Sequence, residues 1–429
     1  MPHSMDITLQ LHKPVASAAI TITGSKSETN RLLLLQALYP GITIKNISES
    51  DDSHAMQAAL ASTYSVIDIH HAGTAMRFLT AYFALQEGRE ITLTGSQRMR
   101  ERPIGVLVNA LRDLGAQIEY LENEGFPPLK ITGKQLTKSS VSINAGVSSQ
   151  YITALLLIAG RLENGLELTL EGELTSIPYI KMTLGLLNEV GIENSFEGNS
   201  IKVRSQIAKS KLQEEKSELL NLNSEITVES DWSSASYFYS IVALADVGTS
   251  ITLSSYKRNS LQGDSALAEI YKELGVETVF GDNTVTLRKL NYQPTTINQQ
   301  LNNTPDIAQT IAVTCFGLGI GCHLTGLHTL KIKETDRLEA LKTELEKFGA
   351  AISVTDHSLT LEPHSLFTHE YSDAQPVAIA TYNDHRMAMA FAPLAIKTPV
   401  GIKDACVVSK SYPTFWEDMK VLGFGVEQV

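Results

Sequence analysis

Cysteine is scarce in this chain: only Cys315, Cys322 and Cys406 occur in 429 residues. Three thiols at these positions make neither a disulfide framework nor a metal-ligand spacing, and they read as buried thiols of a reducing compartment. Positive charge is also short, with 35 Lys and Arg against 47 Asp and Glu and a formal net charge of −12. A nucleic-acid binder with a diffuse basic face is thereby excluded, although a few Arg and Lys can still dominate one cleft. Long apolar runs are missing. The stretch Ala154–Ala159 is typical of the longest, far below the ~20 residues that cross a bilayer. The N-terminal MPHSMDITLQLHK has no basic segment leading into an apolar one, so no secretory leader is expected. These absences predict a soluble, cytoplasmic protein with no membrane or nucleic-acid partner. No exposed apolar stripe asks for a second copy, so a monomer is expected.

What is present is a repeat. An amphipathic helix, a Gly corner and a strand recur in VLVNALRDLGAQIEY (106–120), LGLLNEVGIENSF (184–196), ALAEIYKELGVETVF (266–280), EALKTELEKFGAAISV (339–354) and FWEDMKVLGFGVEQV (415–429). The corner glycines Gly115, Gly191, Gly275, Gly349 and Gly423 are 76, 84, 74 and 74 residues apart by difference. Leucines three and four apart give a buried stripe, and Gly at the helix end takes the left-handed conformation before a β-branched strand. A weaker sixth copy, without the glycine, is expected at AMQAALASTYSVIDI (55–69). The longest interval contains the polar run KSKLQEEKSE (209–218), read as a solvated excursion. Units of this length exceed ordinary solenoid repeats. They predict an α/β protein of two similar domains, three units each, with a junction near 225–232 and ligands in the cleft between.

Charged and polar residues gather where helices begin. ITITGSKSETNRLLLLQAL (20–38) is a strand, a turn and a helix, with Ser27 as the expected N-cap and Lys26 and Arg31 beside it. It fits an anion site or a capped helix with surface cations equally well, but not a phosphate loop, since Ile20 and Ser25 stand where glycines are required. HAGTAMRFLTAYFAL (71–85) repeats the design with Gly73 and Arg77. SQRMRERPIGVLVNAL (96–111) sets Arg98, Arg100 and Arg102 just before Pro103, the expected helix opening. Ser148, Ser149 and Gln150 open a wholly apolar helix, and Ser176 and Tyr179 open another; neutral hydrogen bonds to a phosphate or polyol, or simple capping, would account for either.

The C-terminal half adds acids. Asp306 starts one helix; Lys333, Glu334, Asp336 and Arg337 crowd the next; Asp384, His385 and Arg386 precede an apolar one; Lys410 lies before the last. Convergent helix N-termini would make a locally cationic site in an acidic chain, with Asp306, Glu334 and His385 available for proton transfer. No clustered ligand set calls for a metal, and no cofactor is expected.

The segments GSKSETNR, AGTAMR, RMRERPI, VSSQ, PDIA, KETDRL, TYNDHRMAMAF and SKSYPTFWEDM, in that order, closely resemble the EPSP synthase family of enolpyruvyl transferases. The resemblance spans almost the whole chain. It implies two domains of three βαβαββ units each around buried helices (an inside-out α/β barrel), divided as 23–228 against 1–22 with 229–429, and an active site between them. It implies transfer of the enolpyruvyl group of phosphoenolpyruvate to the 5-hydroxyl of shikimate 3-phosphate. Shikimate 3-phosphate would then meet Lys26, Ser27, Arg31, Ser148, Ser149, Gln150, Ser176, Asp306 and Lys333, with Tyr179 beside them. Phosphoenolpyruvate would meet Lys26, Gly73, Arg98, Gln150, Arg337, Arg386 and Lys410. Asp306, Glu334 and Lys26 would handle protons, near His385. Glyphosate, the family's inhibitor, would find Gly73 unobstructed. His71, Thr329 and Ile177 depart from the family pattern, and none of them removes a charged group. The aminosugar enolpyruvyl transferases share the fold, but their usual first-domain loop cysteine is missing here. A catalytically dead relative would be expected to lack Asp306, Glu334 or Lys26.

Overall fold

The computed structural model describes residues 5–15, 17–144, 146, 148–172, 177–207, 224–364 and 375–429. Contacts divide the chain into two compact units, Gly24–Val228 and the residues up to Thr23 together with Glu229–Val429. Each has its own continuous apolar core.

One motif builds both. From Val66–Asp68 the chain passes through the helix Gly73–Ala84, the strand Glu90–Thr94, the helix Gly105–Asp113 and the hairpin Gln117–Tyr120, Leu129–Thr132. The first two strands pair in parallel, and the fourth lies antiparallel between the second and third. The same βαβαββ order recurs from Ser140–Asn144 and from Ile297–Gln300. Three further copies draw a strand from elsewhere. Ile7–Leu11 completes the C-terminal sheet, antiparallel to both Val400–Ile402 and Phe424–Gln428. Ala18–Ile20 pairs in parallel with Ser250–Ser254, and Ser224–Thr227 with Ile42–Lys45. The strand just before each passage between units thus stays behind and opens a copy whose first helix lies far along the chain. Among the described residues five sheets have four strands and the Ile42 sheet has two, all open-edged.

The five corner glycines all have left-handed φ, from 80° at Gly275 to 108° at Gly115, a conformation that costs any other residue about 1 kcal/mol or more. The segment at 55–69 forms the expected helix and strand, Asp51–Ala61 and Val66–Asp68. That strand, however, opens the next sheet rather than a hairpin of its own. With no reversal to close, no corner glycine is needed. The polar run at 209–218 lies outside the described residues.

The first helices of several copies are apolar around most of their circumference and sit inside the core. Trp232–Leu244 is buried throughout, and Ser149–Ala159 from Tyr151 onward. The sheets cover these helices with one face and meet solvent with the other, as the strict in–out alternation of Ser140–Asn144 shows.

Candidate active site

In the Gly24–Val228 unit the helix Lys26–Leu38 begins two residues earlier than expected. Ser25 occupies the N-cap position, without a side-chain cap bond, and Ser27 lies inside the first turn. Lys26 Nζ stands 3.4 Å from Asp52. Arg31 is buried. It donates to Thr183 Oγ1 at 2.9 Å, Ser27 O at 2.7 Å, Thr153 Oγ1 at 3.3 Å and Tyr179 O at 3.5 Å, all neutral oxygens. Its guanidinium also lies over the Phe78 and Tyr179 rings. Burial draws its pKa down to about 10 against small offsets from Tyr179 and Glu28. Ser148 caps the helix Ser149–Ala159, its hydroxyl accepting from Gln150 N. Gln150 Nε2 donates to Thr74 Oγ1 at 3.3 Å, which ties this helix start to the one at Gly73. Ser176 lies outside the described residues, and Tyr179, which is described, is half-buried.

Gly73 is the first residue of its helix. A Cβ built there would lie 2.4 Å from the Arg102 guanidinium, so Arg102 rests directly against this glycine. Arg98 is elsewhere: it sits on the short helix Gln97–Arg100, exposed and paired with Glu101. Arg102, and not Arg98, is thus the arginine beside Gly73. Pro103 does not open the following helix either, which starts at Gly105. The Pro103 carbonyl instead accepts from Arg77 at 2.9 Å and from Tyr151 Oη at 2.6 Å. Arg77 is buried, and burial first, then the neighbouring Arg102, brings its pKa to about 10.

The other unit carries an ion-pair network. Asp336 caps the helix Arg337–Glu346 through the amides of Leu338 and Glu339. Arg337, 2% exposed, donates to Asp384 Oδ2 at 2.6 Å, Asp306 Oδ1 at 2.8 Å and Glu334 Oε2 at 2.8 Å. Asp306 comes from the turn Pro305–Ile307 at the head of the helix Ala308–Leu318. It also faces Lys333 Nζ at 3.4 Å and Arg386 at 3.6 Å. Burial works to raise its pKa, but Lys333, Arg386 and Arg337 outweigh that and hold it well below the usual carboxylate range. Burial likewise opposes the charge on Arg337, yet Asp384, Glu334 and Asp306 push its pKa up. Glu334 is partly open to solvent.

Asp384 caps the helix His385–Phe391, and His385 is buried as its first residue. Arg386 reaches Asp306 O at 3.2 Å and Ser233 Oγ at 3.2 Å. Ser233 in turn donates to Asp264. Burial, reinforced by Asp306, pushes the Asp264 carboxyl up to about 7 despite Arg386. Lys410 Nζ donates to Asn383 O at 2.6 Å. Arg337, Asp306, Lys333, Glu334, Asp384 and Arg386 thus form one network, with Lys410 reaching its turn. Sequence reasoning had no place for Asp264 and Ser233 here. The run LQGDSALAEI carries Asp264 at a helix start, the only signal that could have marked it.

A family model for EPSP synthase (3-phosphoshikimate 1-carboxyvinyltransferase) matches residues 59–419. The chain belongs to the EPSP synthase family. A relative from Bacteroides fragilis (strain YCH46), named 3-phosphoshikimate 1-carboxyvinyltransferase, is 46% identical, covering 96% of each chain. One of the same name from Vibrio atlanticus is 37% identical, covering 97% of this chain and 99% of its own. The fold is also that of solved family structures. EPSP synthase from Acinetobacter baumannii superposes with a TM-score of 0.79 at 22% identity, over 99% of this chain and all of that one. The enolpyruvyl transferase NikO from Streptomyces tendae gives 0.71 at 13% identity, over 99% of both chains. Among the described residues no helix is long and apolar enough to cross a membrane. No group of His, Cys, Asp and Glu there could hold a metal ion.

Proposed function

We propose that the chain transfers the enolpyruvyl group of phosphoenolpyruvate to the 5-hydroxyl of shikimate 3-phosphate, releasing phosphate, in the route to chorismate and the aromatic amino acids. The observation that carries this reading is the Arg337–Asp306–Lys333–Arg386 network, set at helix N-termini in a chain of this family. Shikimate 3-phosphate is held by Lys26, Ser27, Arg31, Ser148, Ser149, Gln150, Ser176, Tyr179 and Lys333. The buried Thr329 hydroxyl, without a partner among the described residues, is free to add a hydrogen bond. Phosphoenolpyruvate lies against Lys26, Gly73, Arg102 in place of Arg98, Gln150, Arg337, Arg386 and Lys410. The protein works as a cytoplasmic monomer.

The 5-hydroxyl attacks C2 of phosphoenolpyruvate while C3 gains a proton; the tetrahedral intermediate then loses phosphate from C2 and a proton from C3, which restores the double bond. Asp306 accepts the hydroxyl proton. In the ligand-free protein three cations make it a weak base. When the anionic substrate engages Arg386 and Lys333, their pull on Asp306 falls and its basicity rises. Glu334 exchanges the proton at C3 together with Lys26, and the Arg and Lys side chains stabilise charge as it moves toward the departing phosphate.

Phosphate release from phosphoenolpyruvate, with shikimate 3-phosphate or UDP-N-acetylglucosamine as acceptor, tests the reading. Release only with shikimate 3-phosphate is expected. Release only with the aminosugar nucleotide would overturn the acceptor. Binding of shikimate 3-phosphate without any release would identify an inactive relative.

A further inference from the structure

The helix Arg337–Glu346 grips the 380–384 turn at two points. Arg337 at its start holds Asp384. Glu344, seven residues on and so two turns along the same face, holds the rest. Its side chain is wholly buried. Oε1 accepts from Tyr382 Oη at 2.7 Å, and Oε2 accepts from Ala380 N at 3.1 Å and Lys347 Nζ at 2.5 Å. Lys347 also donates to Ala378 O at 3.0 Å, securing the strand that leads into the turn.

Between these two grips stand Tyr382 and Asn383, with φ of 54° and 57°, the only consecutive non-glycine pair with left-handed φ among the described residues. Two β-carbons in that conformation are unfavourable, and such backbone persists only where its surroundings fix it. The turn also aims the site. Asn383 O meets Lys410, Asp384 caps the helix, and Arg386 reaches Asp306 O and Ser233. A buried carboxylate is costly unless its hydrogen bonds are satisfied, and Glu344 spends all of its described bonds on this turn and on Lys347. Burial, and then the hydrogen bond to Glu344, push the Tyr382 phenol up to about 12.

We propose that Glu344 and Tyr382 form a clasp that keeps the Tyr382–Asn383 turn left-handed, making Glu344 a positioning residue that sets Arg386 and Lys410 for phosphoenolpyruvate. This rests on the reading of Arg386 and Lys410 given above. If the clasp opens, the two residues relax toward extended backbone, and Asn383 O leaves Lys410.

The test uses Tyr382→Phe and Glu344→Gln in the full chain. Tyr382 is 38% exposed, so its loss of one hydroxyl leaves the fold intact even if Glu344→Gln does not. Amide exchange of the ligand-free protein, read by mass spectrometry, should rise about tenfold in the 380–387 segment, with segments of the Gly24–Val228 unit unchanged. In turnover, KM for phosphoenolpyruvate should rise about tenfold, with kcat and KM for shikimate 3-phosphate within about twofold. Unchanged exchange in Tyr382→Phe would overturn the clasp. Faster exchange with an unchanged KM for phosphoenolpyruvate, or an equal rise in both KM values, would overturn its link to the site. A wild type that releases no phosphate would count against the enzymatic reading alone, and exchange would still decide for or against the clasp.

Discussion

In the Gly24–Val228 unit the buried guanidiniums of Arg31 and Arg77 rest on hydroxyls, carbonyls and a thioether. In the other unit, Arg337 rests on three carboxylates, and Arg386 adds an ion pair with Asp306 to its bonds with a carbonyl and a hydroxyl. Both arrangements satisfy hydrogen bonds, but the second places carboxylates in direct contact with the guanidinium, while the first has only a smaller offset from Glu28. In the first, burial lowers the pKa of both arginines to about 10, a cost in ligand-free stability. The second is nearly self-compensated. The two units thus accommodate buried guanidiniums differently, one with neutral partners and the other with a carboxylate network.

Three substitutions would break or sharpen this contrast. The largest effect is expected from Arg337→Met. It removes the guanidinium from the fully buried Asp384 and from Glu334, and one of three cations from Asp306. Stability in urea should fall by about 3–5 kcal/mol, as when one partner is removed from a buried ion pair. A loss below about 1 kcal/mol would show that the network is not a mutual neutralisation.

Next comes Asp264→Asn, read as a function of pH. The folded carboxyl ionises near 7, the unfolded one near 3.9. The folded state therefore holds a proton that the unfolded state has lost. The cost of Asp264 is absent below about pH 4, grows between pH 4 and 7 and is complete above that. The asparagine variant should gain on wild type across that window, by roughly 4 kcal/mol at pH 8. A difference that does not change with pH would refute the shift.

The smallest change in stability is expected for Arg31→Met. Thr153 and Thr183 lie 3.2 Å apart, and Thr183 already donates to Tyr179 O, so neither hydroxyl is orphaned. The melting temperature should stay within about 3 °C of wild type or rise, while affinity for shikimate 3-phosphate falls about 100-fold, ~2.7 kcal/mol. A destabilisation like that of Arg337→Met would erase the distinction between the two units.

Much of this was legible in the sequence, and the parts that were not have physical reasons. The corner glycines could be read because a helix end is a local event, and Gly115 and its four counterparts adopt left-handed φ. The helix starts at Gly73, Ser148, Asp306 and Asp384 were legible for the same reason, and that at Lys26 to within two residues. The exchanged strands were not: Ala18–Ile20 and Ser224–Thr227 are three and four residues long, and each pairs with chain more than 170 residues away. Arg98 and Arg102 are chemically identical, and only the path of a four-residue helix decides which of them meets Gly73. Asp264 and Glu344 went unmarked because a buried carboxylate looks like a solvated one in sequence. Glu344 could have been suspected from its spacing of seven from Arg337.

The strand Ile7–Leu11 has a consequence for the order in which the protein can be made. Its partners, Val400–Ile402 and Phe424–Gln428, leave the ribosome about 390 residues later, which at roughly 5–20 residues per second is about 20–80 s. Throughout that time the strand has both edges unpaired, while Gly24–Val228, contiguous in the chain, can be complete within about half of it. The nascent chain can thus carry a finished Gly24–Val228 unit while the first strand of the other unit waits for the last.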